Sequence, residues 1–333
     1  MRAIQIAELS EPDSALRYVE LPEPEPTHPL SPPGEDAVVI DVHAAGVSFP
    51  EVLQTRGEYQ FKPPLPFIPG SEVGGIVRSA PANNGLQPGD RVAAFTALGA
   101  FADVATAPAF FTFKLPERLD LAQGAGLILN YHTAYFALRT RGRLAEDEWV
   151  LVHGAAGGVG TAALQVARGL GARTIAVVST EAKARIAQEA GADHAVRSDD
   201  AWKDEAEELS GGGVDLVIDP VGGDRFTDSL RSLREGGRVV VVGFTGGSIP
   251  EVKVNRLLLN NLEVIGAGWG AYAMPKPDFN REVGAAIERL IDRDYVCPLI
   301  GARFDWEHAA DALNCIDSRQ ATGKVVLDVR AEG

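Results

Sequence analysis

Residues 150–160, Val-Leu-Val-His-Gly-Ala-Ala-Gly-Gly-Val-Gly, are the stretch whose types and spacing speak most directly of chemistry. An apolar run turns through clustered glycines, and Val159, Ala162, Ala163, Val166 and Leu170 then recur at helical spacing. The loop therefore opens a helix whose first N–H groups lack partners and whose positive dipole end faces outward, an arrangement suited to a phosphate. The pattern departs from Gly-x-Gly-x-x-Gly: Ala155 holds the first position, with Gly157 and Gly160 at the second and third. Ala156, Gly157, Gly158 and Val159 are the candidate contacts to a dinucleotide pyrophosphate.

The residues that follow bear on which dinucleotide. An NAD site places an acidic side chain about 20 residues after the loop, whereas a 2′-phosphate calls for cations and hydroxyls there. The run Arg173–Val178 ends at Ser179 and Thr180, Lys183 lies one turn further on, and Arg197 sits beyond the next short apolar run, 194–196. Glu181 is also about 20 residues past the glycines, but it falls in the first turn of the next helix. A carboxylate there favours the dipole, with Ser179 or Thr180 as N-cap. The expected cofactor is NADPH, with Ser179, Thr180, Lys183 and Arg197 around its 2′-phosphate.

The elements that position these residues repeat. Helical stretches at 181–189 and 202–209 alternate with strand-like runs at 173–178, 214–219 and 237–242, and these strands show little polar alternation. That texture indicates an α/β domain with a parallel sheet covered on both faces. The first 120 or so residues instead carry short runs separated by Gly/Pro turns, such as 37–43, 73–77 and 91–95. Residues 278–291 read as a helix and 323–329 as a closing strand. The economical reading is a doubly wound cofactor domain inserted between two parts of a β-rich domain.

Composition narrows the partners. The 333 residues include 31 basic and 46 acidic side chains, and the formal charge of −15 opposes binding to nucleic acid or anionic membranes. Cys297 and Cys315 match no disulfide scaffold or metal knuckle. The N-terminus lacks a signal-peptide profile, and no apolar run is long enough to span a bilayer. A small-molecule substrate and a cytoplasmic location are expected.

Taken together, the motifs resemble the medium-chain dehydrogenase/reductase superfamily, in its zinc-free quinone oxidoreductase branch. The likeness runs through residues 44–50 (AAGVSFP), 57–70 (GEYQFKPPLPFIPG), 89–92 (GDRV), 130–135 (NYHTAY), the glycine loop, 219–223 (DPVGG), 268–270 (GWG) and 323–327 (GKVVL). It implies a GroES-like catalytic domain at 1–123 and 267–333, a Rossmann domain at 124–266, NADPH as hydride donor and a homodimer. It also implies that Asn130 and Thr133 lie near the nicotinamide ribose. Val221, Gly243, Phe244 and Thr245 would border the cofactor, Gly268, Trp269 and Gly270 the carboxamide, and Arg319 is a candidate second cation for the 2′-phosphate. Zinc-dependent relatives carry Cys where this chain has Ser48 and Gly-His-Glu where it has Gly70-Ser71-Glu72, so no metal is expected. Ser48 departs from the branch as well, which commonly has Asn there. Tyr59, Tyr131 and Ser48 are the candidates for orienting the acceptor or donating a hydrogen bond to it, with His132 behind them. The acceptor would be a quinone or similar conjugated carbonyl. A 2-alkenal, enone or enoyl-thioester reductase is the alternative within that chemistry. A noncatalytic nucleotide-binding protein, crystallin-like or RNA-binding, is the alternative outside it.

Overall fold

The apolar runs become strands. In the computed structural model, which describes residues 1–82, 84–199 and 201–330, these are β1 (Arg2–Ile6), β2 (Leu16–Glu20), β3 (Val38–Val47), β4 (Glu72–Ser79), β5 (Arg91–Phe95), β6 (Val104–Ala107) and β7 (Thr112–Lys114). They are followed by β8 (Trp149–His153), β9 (Arg173–Val178), β10 (His194–Arg197), β11 (Val214–Asp219), β12 (Leu233–Val241), β13 (Glu263–Gly266), β14 (Ile300–Asp305) and β15 (Lys324–Asp328). The class is α/β, and the chain forms two units. The first comprises Met1–Leu129, Ala273–Gly284 and Pro298–Gly333; the second comprises Asn130–Tyr272 and Ala285–Cys297. The crossings thus fall at Asn130 and Ala273 rather than at 124 and 267, and Ala285–Cys297 groups with the second unit.

In the first unit the strands run in the order β14-β15-β3-β4-β5-β7, with β6 also paired to β3. Val38, Ile40 and Val42 of β3 share a buried face with Val73, Val92, Phe101 and Leu327, as a period of two requires. The chain's last strand, β15, lies inside this sheet, antiparallel to β3 with Val326 opposite Gly46. Lys324 is therefore carried to the residues that follow β3.

In the second unit six parallel strands run in the order β10-β9-β8-β11-β12-β13. All the residues of β8 and β11 are buried, which explains why neither strand alternates in sequence. Strand order reverses at β8, so the glycine loop leaves the sheet at its topological switch point, where such folds hold ligands. The helix Gly158–Gly169 follows directly. Gly160 lets it do so: a Cβ there would stand 2.2 Å from the Gly154 carbonyl oxygen and 2.7 Å from Ala155 Cα.

Candidate functional site

Register assembles the cradle in the second unit. His153 pairs with Val177 across β8 and β9, and Val178 with Arg197 across β9 and β10. The glycine loop, Ser179-Thr180 and Arg197 consequently emerge side by side from the carboxyl edge. Thr180 caps the helix Glu181–Glu189, its Oγ1 accepting from the Lys183 N–H at 3.2 Å, which fixes Lys183 in the first turn. Ser179, Thr180, Glu181 and Arg197 are exposed and Lys183 is half-buried. Glu181 occupies the first-turn position expected of it.

The other side of the switch point is held by loops that follow β11 and β12. Asp219 Oδ1 accepts from the N–H groups of Val221 at 2.8 Å and Gly222 at 2.9 Å. The Thr245 hydroxyl donates to the Pro220 carbonyl at 3.1 Å, and the Gly246 N–H donates to that of Val221 at 2.8 Å. These bonds tie Gly243, Phe244 and Thr245 to Val221. A Cβ on Gly154 would lie 3.2 Å from Val221 Cγ2, so Val221 borders the glycine loop.

Asn130 and Thr133 are buried at a stretch of π-type turns, Ile128–His132, leading into a short helix, a geometry often found at functional positions. A Cβ on Gly158 would lie 2.6 Å from Asn130 Nδ2, so the missing side chain lets this amide rest against the loop. In the Gly268-Trp269-Gly270 segment, Gly268 is exposed with open space where a Cβ would stand. Trp269 begins the helix Trp269–Ala273, is buried, and meets the ring of His132 edge-on with centroids 5.9 Å apart. Burial pushes His132 down to about 3, so it is neutral at ordinary pH and has no ready proton to give.

The three candidates for acting on the acceptor separate. Tyr131 belongs to the second unit and is buried, and its hydroxyl donates to Gln165 Oε1 at 2.7 Å. Gln165 in turn exchanges bonds with the backbone of Cys297, both at 2.9 Å. Burial raises the Tyr131 phenol well above its ordinary value. Ser48 and Tyr59 belong to the first unit and are only half-buried. Arg319 is also in the first unit, exposed and in the left-handed region at φ 59°.

Around Ser48 the structure gathers a polar cluster of which the sequence gave little notice. Ser48 caps the helix Phe49–Thr55, and its N–H donates to Glu51 Oε2 at 2.9 Å. The Ser71 hydroxyl donates to Glu51 Oε1 at 2.5 Å. Lys324 Nζ donates to Ser48 Oγ at 2.7 Å and pairs closely with Glu72 Oε1, while Glu72 Oε2 accepts from the Leu129 N–H at 2.9 Å. Glu51, Glu72 and Lys324 are 1%, 0% and 3% exposed, so two carboxylates and one ammonium meet almost wholly out of water. Burial raises Glu51 above the usual carboxylate range, opposed by the Ser71 hydrogen bond and the Lys324 ammonium. Tyr59 is raised by burial and by the nearby Glu51 charge, and so keeps its phenolic proton. Ser48-x-x-Glu51 is a capping-box pattern, which could have signalled Glu51. Lys324 lies 276 residues from Ser48, and nothing local joins them. Among the described residues, no three His, Cys, Asp or Glu side chains are grouped to hold a metal ion, and no helix is long and apolar enough to cross a membrane.

Comparison with known proteins gives the chain a family. Residues 34–117 match the alcohol dehydrogenase GroES-like domain, and residues 158–288 match the zinc-binding dehydrogenase domain. The chain is 38% identical over 304 residues to mouse (Mus musculus) quinone oxidoreductase-like protein 2, covering 90% of this chain and 87% of that one. A probable oxidoreductase from Mycobacterium abscessus superposes with a TM-score of 0.86 at 41% identity, covering 98% of each chain. The quinone oxidoreductase from Thermus thermophilus, solved also as its complex with NADPH, superposes with a TM-score of 0.84 at 32% identity, covering 99% of this chain and 100% of that one. This chain belongs to the quinone oxidoreductase family of the medium-chain dehydrogenases/reductases.

Proposed function

We propose that the protein is an NADPH-dependent reductase that passes hydride to a quinone or a related conjugated carbonyl compound without a catalytic zinc ion. The observation that carries this reading is the cradle, where hydroxyls and cations stand beside a glycine loop at the sheet's switch point. Those residues fit a dinucleotide phosphate. Gly157 and Gly158 bring no side chain, and the helix behind them offers backbone N–H groups to an anion. Ala156, Gly157, Gly158 and Val159 would hold the pyrophosphate, and Ser179, Thr180, Lys183 and Arg197, with Arg319, the 2′-phosphate. Asn130 and Thr133 would hold the nicotinamide ribose, Val221, Gly243, Phe244 and Thr245 would border the cofactor, and Gly268, Trp269 and Gly270 would flank the carboxamide.

When bound, NADPH supplies hydride; the protein contributes orientation and electrostatics. Ser48 and Tyr59 are half-buried hydroxyls, each able to donate to a carbonyl oxygen, and in this reading they meet the acceptor. Tyr131, its hydroxyl committed to Gln165, shapes the wall of the cofactor unit. Ser48 and Ser71 in place of thiolate and imidazole, with an ammonium beside them, support the zinc-free assignment. A homodimer is supported by β13, an edge strand next to the exposed Val254, Leu258 and Leu259. Neither Cys297 nor Cys315 is in a disulfide, which suits a cytoplasmic location.

The test is oxidation of NADPH and NADH by purified protein against quinones, 2-alkenals, enones and enoyl thioesters. Turnover with NADPH is expected, and the preferred acceptor assigns the substrate class. NADPH binding with no turnover on any acceptor would replace this reading with a noncatalytic nucleotide-binding role.

A further inference from the structure

A buried ammonium is a costly way to stabilise a fold, because desolvation offsets much of what the ion pair returns. The first unit nevertheless makes room for one. A Cβ on Gly46 would lie 2.7 Å from Glu72 Cγ and 2.8 Å from Lys324 Cε, and a Cβ on Gly126 would lie 3.0 Å from Lys324 Cγ. Two glycines thus leave a channel for the lysine stem. At its end Lys324 Nζ contacts Ser48 Oγ, the hydroxyl of a half-open residue. A lysine only donates, so Ser48 accepts from it, and the serine's own O–H remains to be given to something else.

We propose that the Ser48 hydroxyl, held and polarised by the Lys324 ammonium, donates the proton to the oxygen of the reduced acceptor. The proposal rests on the reductase reading above. When bound, NADPH would supply hydride to the β-carbon of a conjugated carbonyl, whose oxygen would then carry the negative charge. The Ser48 O–H bond breaks as an O–H bond forms on that oxygen. Lys324 Nζ passes a proton to the Ser48 oxygen and becomes a neutral amine, which regains its proton from water through Ser48 after product leaves. Ser48 is the catalytic residue in this scheme; Lys324 acts through it as a positioning residue and proton reserve. Glu72, paired to the ammonium and anchored on the Leu129 N–H, orients the lysine. Glu51 lies within electrostatic reach of the same ammonium, bonded by Ser71 and close enough to Tyr59 to raise its phenol.

The reduced acceptor sets the need for this donor. A hydroquinone anion is a weak enough base for solvent to protonate it, whereas an enolate is stronger. Two variants test the scheme: Ser48→Ala, and Lys324→Met combined with Glu72→Gln so that the carboxylate paired directly with the lysine is not left without its counter-charge. The first readout uses no cofactor. 4-Nitrophenol is titrated with protein, and the wild type is expected to shift its absorbance toward the phenolate, a stand-in for the reduced acceptor's oxygen, while both variants lose the shift. A wild type without the shift, or a Ser48→Ala that retains it, would overturn the proposal. The second readout compares kcat for an enone and for 1,4-benzoquinone. The expected loss is about 100-fold on the enone, the usual scale of a general acid, with little loss on the quinone; equal losses on both would mean a purely structural role. If the wild type reduces only quinones, the absorbance titration decides. A wild type that turns over no acceptor would sink the reductase reading, while the phenolate shift would still report on Ser48 and Lys324.

Discussion

Gly160→Ala tests whether the contact between the glycine loop and its helix sets cofactor binding. In a helix interior, exchanging Gly for Ala removes a backbone-entropy cost and favours the helix by up to about 1 kcal/mol. Here the new Cβ would sit 2.2 Å from the Gly154 carbonyl oxygen and 2.7 Å from Ala155 Cα, and both are backbone atoms that cannot swing aside. Ordinary contact begins at 3.4 Å. The helix start must therefore retreat by roughly 1 Å, a displacement of the size that costs about 100-fold where geometry is exacting. Overpacking of this kind costs about 1–3 kcal/mol, so the net change should be a destabilisation of about 1–2 kcal/mol. That corresponds to a fall in Tm of about 1.5–3 °C for a chain of this size. Thermal unfolding measures the first effect, and NADPH fluorescence titration the second, with an expected loss of about 10–100-fold in affinity. A variant as stable as the wild type that binds NADPH within a factor of two would refute the reasoning, because it would show that the loop and the helix move independently.

Lys183→Ala should raise the KM for NADPH by about 10–100-fold and leave that for NADH nearly unchanged, as the loss of one charge-assisted phosphate contact predicts; an unchanged preference removes Lys183 from the 2′-phosphate site. For Glu51 the sign follows from burial. Its folded pKa is raised, so its contribution to stability is fully present below the unfolded value of 4.5 and is lost as the pH rises through the folded value. Glu51→Gln should therefore gain stability relative to the wild type at pH 8 and lose that advantage by pH 4, as read from urea midpoints; a pH-independent difference would contradict the assignment. Leu258→Glu with Leu259→Glu, at side chains 78% and 74% exposed, should convert a dimer to a monomer in light scattering, whereas a dimer that persists would place the interface elsewhere.

The parts of the fold legible in sequence are those governed by local chemistry. The runs 173–178, 214–219 and 91–95 are strands with those bounds, because apolar β-branched stretches between breakers leave little choice. Thr180 caps its helix as its type and place suggest. Trp269 is less legible: nothing in the Gly-Trp-Gly run announces that the indole is buried against His132 at a helix start. Tyr131 looked like any loop tyrosine until its partner Gln165, 34 residues away, took its hydroxyl. The cluster at Ser48 was the least visible, since its charge comes from Lys324 through the pairing of β15 with β3, and no pattern of spacing encodes that pairing.

The place of β15 inside the sheet has a consequence for biosynthesis. A ribosome releases the glycine loop, Lys183 and Arg197 long before residue 324, so the nascent chain holds these three while Glu72 still waits for its counter-charge. Until β15 pairs with β14 and β3, Glu72 lacks the ammonium that offsets the cost of burying it, which disfavours closing that part of the first unit. Synthesis of β15 and completion of the Ser48 centre are then one event, and a chain cut short before Lys324 would lack both the strand and the ammonium.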